Sequence, residues 1–212
     1  MRWELRQTIS NIIADYDVVS PQGLVGRAEM DPQFLQGEKI AFSLCGHSYL
    51  LQYDTLDYAK TLFTDRQKDK TVRFRFRIFE HGEQIGEIAR IRQRTGFLKS
   101  YNYLALRLNG VDYQLYKIGL GKQGIKCPIY CGQRQIAQIN KGTVAKNNLD
   151  EYTLLALDEA AAVTAVFFGL YMDTIYYANR NEYVRNSTSV HYETTLNKDL
   201  MAWYDPAFEA RC

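Results

Sequence analysis

Six arginines on two neighbouring apolar segments are the residues whose types and spacing could do chemistry. In TVRFRFRIF, arginine alternates with apolar residues, and the alternation resumes after a turn at His81 and Gly82. Because successive side chains of a strand point to opposite faces, this pattern predicts a β-hairpin with its arginines on one face. Guanidinium groups bind phosphate through paired hydrogen bonds, so such a face could hold several phosphates. The candidate anion-binding or lipid-binding residues are Arg73, Arg75, Arg77, Arg90, Arg92 and Arg94.

The same arginines also fit a solvated strand face that holds no ligand. Glu80, Glu83 and Glu87 lie nearby in the sequence and would neutralise part of the positive charge. Salt would screen much of the remainder. Nucleic acid is not favoured as a partner, because the alternating aromatic residues point to the other face and are not free to stack on bases. An anion-binding surface and a solvated face therefore both remain open interpretations.

A glycine-rich segment, IGLGKQG, carries Gly119, Gly121 and Gly124 in the spacing of a dinucleotide-binding loop. That function needs a helix directly after the glycines, with its N-terminus facing the pyrophosphate. The residues that follow, IKCPIYCG, are β-branched and include Pro128. The segment therefore predicts a flexible hairpin loop and no bound cofactor.

The cysteines and histidines give no complete catalytic or metal-binding set. Cys127 and Cys131 have the spacing of two zinc ligands, but no nearby residues complete a site. His47, His81 and His191 are isolated from any nucleophile motif. The sequence thus predicts free thiols, no catalytic residue, no metal and a protein that is not an enzyme.

A long apolar segment must organise the elements that carry these residues. Residues 160–172 form a 13-residue run in which Thr164 is the only polar side chain. A helix that is apolar on every face must be buried, yet crossing a bilayer takes about 20 residues. Asp158 and Glu159 precede the run and Asp173 follows it. We interpret the run as a core helix that the two preceding carboxylates cap, with no transmembrane span.

The residues before this helix predict successive short strands joined by glycine-containing turns. Asn109 and Gly110 between apolar runs are a strong hairpin signal. Residues 54–70 are polar and fit either a loop or a short helix. Three hairpins share a turn, then a β-branched residue, then a very small one, which indicates sharp curvature or the close approach of another backbone. The three sets are Gly23, Val25 and Gly26; Gly82, Ile85 and Gly86; and Gly132, Ile136 and Ala137.

Charge is distributed unevenly along the 212 residues, although the net charge is only +2. Lysine and arginine dominate residues 60–146, and the flanking segments are acidic. This asymmetry indicates either internal pairing or an anion-binding surface. The opening residues carry charges where the apolar region of a signal peptide would lie, which predicts a cytoplasmic protein with reduced cysteines.

The repeated turn, β-branched and small-residue hairpins, together with the segment YTLLALDE before the apolar helix, resemble the tubby C-terminal superfamily. This superfamily includes LURP-one-related proteins, phospholipid scramblases and small bacterial relatives. The resemblance covers approximately residues 13–178 and is most specific at 157–173. It implies a closed antiparallel β-barrel of about twelve strands around one central hydrophobic helix. It also implies that basic residues on barrel strands bind phosphoinositide headgroups.

These observations predict a mainly β protein with a barrel over residues 1–178 and a central helix at about 159–177. Residues 179–212 are expected to form an extension that packs on the barrel or trails from it. The expected function is non-enzymatic binding of an anionic lipid headgroup or another acidic partner, in the cytoplasm or peripherally at a membrane. The alternatives are a protein-interaction scaffold without a small ligand and a scramblase-like membrane protein.

Overall fold

The computed structural model describes residues 1–10, 13–33, 37–53, 70–96, 99–147, 149–177 and 188–212. The segment that fits a loop or a short helix, 54–70, lies outside these ranges except for its last residue. The strands are β1 Arg2–Ser10, β2 Ala14–Ser20, β3 Gly23–Gln33, β4 Gly37–Leu44, β5 His47–Tyr53, β6 Lys70–Glu80, β7 Glu83–Arg94, β8 Ser100–Leu108, β9 Val111–Leu115, β10 Ile118–Gly119, β11 Ile125–Cys131, β12 Arg134–Lys141, β13 Val144–Lys146, β14 Glu151–Ala156 and β15 Thr188–Val190. Within these ranges the α-helices are α1 Glu159–Tyr176 and α2 Lys198–Met201.

Antiparallel pairing closes the main sheet into a barrel. The order runs β9-β8-β7-β6-β5-β4-β3-β2-β1-β14-β12-β11, and β11 then pairs with β9, so that 12 strands form a ring. Strand β10 adds a short pairing to β11, and β13 and β15 form a separate two-stranded ribbon. The predicted barrel of about twelve strands is confirmed.

The apolar helix α1 lies within this ring and contacts its wall on every side. The side chain of Asp158 accepts a hydrogen bond from Ala161 N at 2.8 Å, which confirms the predicted N-cap. Phe167 is fully buried, with its ring 5.0 Å from that of Phe42 and 5.1 Å from that of Tyr49. Burying each such apolar side chain stabilises the fold by about 1.5–3 kcal/mol. Gly169 lets the helix approach Leu5, since a Cβ there would lie 2.8 Å from Leu5 Cδ2.

The three repeated hairpin motifs are β-bulges next to the turns. In each hairpin the register shifts by one residue, which leaves Val25, Ile85 and Ile136 without a partner on the opposing strand. Their carbonyls accept backbone hydrogen bonds from the turn of the following hairpin in the first two cases and from the residue before Asp158 in the third. The donors are Cys45 N at 2.9 Å, Asn109 N at 2.9 Å and Leu157 N at 3.0 Å.

In the first two hairpins the glycine after the bulge makes room for a neighbouring strand. A Cβ on Gly26 would lie 2.4 Å from Ser43 O, and one on Gly86 would lie 2.1 Å from Arg107 O. The predicted close approach of another backbone is therefore confirmed. The approaching backbone belongs to the adjacent strand of the sheet, and not to the helix.

The described part of the C-terminal extension, residues 188–212, packs against the outside of the barrel. The ring of Trp203 stacks on Tyr116 with centroids 4.3 Å apart, and its carbonyl accepts a hydrogen bond from Tyr130 at 2.9 Å. Leu200 and Phe208 are buried there, and Glu209 pairs with Lys126 at 2.7 Å. These contacts cover an aromatic and aliphatic patch on the outer face of β7–β11.

Gly86→Ala is expected to lower the free energy of unfolding by about 2 to 3 kcal/mol, because the added Cβ must displace the Arg107 carbonyl. Gly96→Ala is the matched control, since nothing lies within 4 Å of a Cβ at that position. The control should stay within about 0.5 kcal/mol of the wild type. Urea unfolding of both variants measures the difference, and equal stabilities would contradict the assignment of Gly86 to a tight inter-strand contact.

Candidate anion-binding end of the barrel

The two ends of the barrel differ in the connections that they carry. At the turn end, short turns join the strands at residues 21–22, 45–46, 81–82, 109–110 and 132–133, and α1 begins. At the open end lie the C-terminal ends of β1, β3, β5, β7, β9 and β12, together with the C-terminus of α1. The arginine-bearing parts of β6 and β7 extend to this open end.

A second bulge in β6 divides the six predicted arginines between the two faces of the sheet. Arg73 pairs with Arg90 and Phe76 pairs with Ile88, so two residues of β6 oppose one residue of β7. Ile88 and Phe76 point into the core, so Arg90 and its partner Arg73 lie on the inner face too. Paired residues of antiparallel strands point to the same side. The prediction of one continuous arginine face is wrong, because the bulge reverses the alternation.

The inner-face group is Arg73, Arg90, Arg92 and Arg94, which we call the arginine face. Arg73, Arg92 and Arg94 are exposed and Arg90 is half-buried. Asn102 and Ser100, opposite Arg92 and Arg94 on β8, continue this polar column. The Nε of Arg92 donates to Ser100 Oγ at 3.1 Å. An inner face that is apolar around α1 thus becomes basic and solvent-accessible at the open end.

The outer-face group, Arg75 and Arg77, faces a carboxylate. Arg77 lies directly opposite Glu87, and Arg75 Nε lies 3.8 Å from Glu87 Oε2. The neighbouring outer groove also contains Arg107 and Asp112, which form an ion pair with a shortest distance of 2.8 Å. This outer surface therefore carries mixed charge.

Helix α1 holds the bulge in place. Phe74 has a φ of 52°, a conformation that bulky residues rarely adopt. The Tyr171 hydroxyl donates a 2.5 Å hydrogen bond to the carbonyl of Phe74. The Arg90 guanidinium lies 4.7 Å from the centre of the Phe74 ring, a cation–π contact. The conformation that separates the arginines therefore depends on a side chain of the central helix.

Positive side chains surround the C-terminus of α1, although its last turn contains no basic residue. Lys117 Nζ lies 4.5 Å from the ring of Tyr176 and 5.1 Å from that of Tyr177. Lys141 Nζ lies 4.6 Å from the ring of Tyr177. These cations complement the partial negative charge of the helix end. Lys117 also pairs with Glu193 of the extension at 2.7 Å.

The last turn of α1 carries a buried carboxylate, that of Asp173. Asp173 is fully buried and accepts hydrogen bonds from the hydroxyls of Tyr16, at 2.5 Å, and Tyr152. Asp150 and Lys141 form a second buried pair nearby. Burial and the charge on Asp150 raise the pKa of Asp173 to about 6, against the opposing effect of the two tyrosines and Lys141.

The other predicted motifs have structural roles. Gly119 allows the extension to approach, since a Cβ there would lie 2.4 Å from Glu193 O. Gly121 and Gly124 have φ values of 60° and 80° in the turn between β10 and β11. Burial raises the pKa of the Cys127 thiol to about 12, which makes it unreactive. Across the described residues, no group of three His, Cys, Asp or Glu side chains could hold a metal ion.

Sequence reasoning identified the arginines but missed Lys117, Lys141 and the tyrosines around the helix end. Lys117 lies between β9 and β10, and Lys141 is the last residue of β12, so no local pattern links them to the end of α1. The position of Asp173 directly after the apolar run could have revealed the tyrosines, because a carboxylate buried with a core helix needs hydrogen-bond donors.

No protein-family model matches the chain, and comparisons with curated proteins and with solved structures found no match. The resemblance to the tubby superfamily therefore stays a prediction. Among the helices in the described ranges, none has the length and apolar character needed to cross a membrane.

The buried carboxylate gives a testable pH dependence. Because the pKa of Asp173 is higher in the folded state than its ordinary value of 3.8, the folded protein holds this proton more tightly between about pH 4 and pH 6. Ionisation of Asp173 should therefore lower stability as the pH rises through this window, by about 3 kcal/mol in total. Asp173→Asn removes this titration. The difference in free energy of unfolding, wild type minus variant, is expected to fall as the pH rises.

Urea unfolding at a series of pH values measures this difference, and Asp112→Asn is the control. Arg107 lowers the pKa of the exposed Asp112, so its favourable contribution is lost as the pH falls. The wild-type-minus-variant difference should then rise slightly with pH for Asp112→Asn. A difference that also rises for Asp173→Asn would show that the two tyrosine donors outweigh burial.

Proposed function

We propose that this protein is a non-enzymatic, tubby-like binding protein whose arginine face binds the phosphate groups of an anionic lipid headgroup at a membrane surface. The observation that carries the proposal is the position of Arg73 directly opposite Arg90, with Arg92 and Arg94 on the same inner face. The basic charge of residues 60–146 and the resemblance to tubby proteins support the same function.

Two arginines facing each other across paired strands repel each other and destabilise the sheet. Carboxylates could offset this repulsion, but within the described ranges none lies within ion-pair distance of the arginine face. A bound anion with several oxygens would neutralise these charges through paired hydrogen bonds.

The position of the arginine face at the open end allows it to bind a headgroup that stays attached to a membrane. Arg73, Arg92 and Arg94 are exposed, so the barrel can present them to a flat anionic surface without changing shape. A cation close to such a surface contributes about 1 kcal/mol of binding free energy. The arginine face can therefore give reversible, salt-sensitive binding at the cytoplasmic face of a membrane.

Arg92→Glu combined with Arg94→Glu tests this function. Both side chains are exposed and lie outside the contacts with α1, so the fold should be retained. Flotation with phosphatidylcholine vesicles, with and without phosphatidylserine, should show binding of the wild type to the anionic vesicles. The double variant should bind at least about tenfold more weakly, because two attractions become repulsions.

Arg2→Glu combined with Arg134→Glu is the matched control, since it reverses two exposed arginines at the turn end, where β1 and β12 begin. The control should bind nearly as well as the wild type. An equal loss of affinity for anionic vesicles in the two double variants would mean that net charge alone determines binding. Absence of wild-type binding to anionic vesicles would reject a lipid headgroup as the ligand and favour the protein-interaction alternative.

A further inference from the structure

The extension from 188 to 196 exposes its apolar side chains and turns polar ones towards the barrel. Val190, Tyr192 and Leu196 are 49%, 62% and 88% exposed. The intervening residues Glu193 and Thr195 are partly buried. A half-buried extended segment normally has the opposite arrangement, with apolar residues inward.

Specific contacts keep the extension in this orientation. Lys117 pairs with Glu193 at 2.7 Å, and Gly119 N donates to Thr195 Oγ at 2.9 Å. Gly121 N donates to Glu193 O at 2.8 Å. Gly119 has no side chain that would block this contact. The barrel therefore binds the polar side of the extension and leaves the apolar side facing solvent.

The β13–β15 ribbon extends the apolar surface. Val144 pairs with Val190, so that the two side chains share the outward face, and Val144 is 52% exposed. Ala145, on the opposite face of the ribbon, is buried. We call the outward residues Val144, Val190, Tyr192 and Leu196 the tail strip.

Exposed lysines flank the tail strip. Lys146 is opposite Thr188 on the ribbon, Lys122 follows the glycine that binds Glu193 O, and Lys198 lies two residues after Leu196. Glu193 is paired with Lys117, and Asp199 is an exposed acidic residue next to Lys198. Apolar side chains with a tyrosine, bordered by lysines, match the composition of surfaces that bind at the interface of anionic bilayers.

Both the tail strip and the arginine face belong to the open end of the barrel. Val144 lies in the connection after β12, and the arginine face lies where β7 approaches its own connection at that end. We propose that the tail strip inserts into the interface of an anionic lipid bilayer while the arginine face binds headgroups. This inference rests on the proposed function and adds a salt-insensitive, apolar contribution to it.

Tyr192→Ser combined with Leu196→Ser tests the proposal. Both side chains are largely exposed, so thermal unfolding should be unchanged. Binding to phosphatidylcholine vesicles that contain phosphatidylserine should weaken by about tenfold. Leu24→Ser combined with Val111→Ser is the control, since these exposed apolar residues lie at the turn end, and its binding should be unchanged.

Two further measurements separate this proposal from the proposed function. Binding of inositol hexakisphosphate, a soluble polyphosphate, should be retained by the tail-strip variant and lost by Arg92→Glu with Arg94→Glu. Raising the salt concentration should reduce the difference in vesicle affinity between the wild type and the arginine variant. The ratio of wild-type affinity to the affinity of the tail-strip variant should stay nearly constant.

Vesicle binding that is equal in the wild type and the tail-strip variant would overturn the insertion and leave the proposed function intact. Loss of self-association in that variant, with unchanged vesicle binding, would instead make the tail strip a contact between two copies of the chain. Wild-type protein that binds neither the vesicles nor the soluble polyphosphate would reject the proposed function itself.

Discussion

Enclosure of α1 is the constraint on which the rest of the structure depends. A helix without a polar face is stable in this fold only where the barrel wall covers every side of it. Each polar group that enters the core with the helix must then find a partner, because burying it unpaired costs free energy. Thr164 and Thr174 donate to the helix carbonyls of Ala160 at 2.9 Å and Leu170 at 2.8 Å. Asp173 and Tyr171 bond to the wall instead, and so fix the rotation and depth of the helix.

The fixed position of α1 determines how the arginines are arranged at the open end. Tyr171 holds the bulge at Phe74, and the bulge decides which arginines face inward. The helix ends beside Arg90, so the inner faces of β6 and β7 beyond this point are open to solvent. Charged side chains can occupy an inner strand face there because, among the described residues, no helix covers it. The candidate site is therefore a consequence of strands that extend beyond the helix they enclose.

The same bulge device recurs at the turn end in β2–β3, β6–β7 and β11–β12. In the first two cases the carbonyl of the bulged residue binds the turn of the following hairpin, and in the third it binds Leu157, just before α1. A second hairpin therefore follows each of the first two bulged hairpins, whereas the central helix takes the corresponding position after the third.

Local patterns in the sequence determined the successive strands, the buried helix, its Asp158 cap and the need for very small residues in the repeated hairpins, whereas the closed barrel was implied by the resemblance. These features follow from periodicity, turn chemistry and the absence of a polar helix face, all of which act over a few residues. Only the tertiary structure decided which arginines share a face, because one extra residue at Phe74 reverses the side-chain alternation that the sequence shows. Lys117, Lys141 and the orientation of the extension were likewise decided by contacts between residues distant in the chain. The energy of such contacts depends on the closed barrel and leaves no periodic signal.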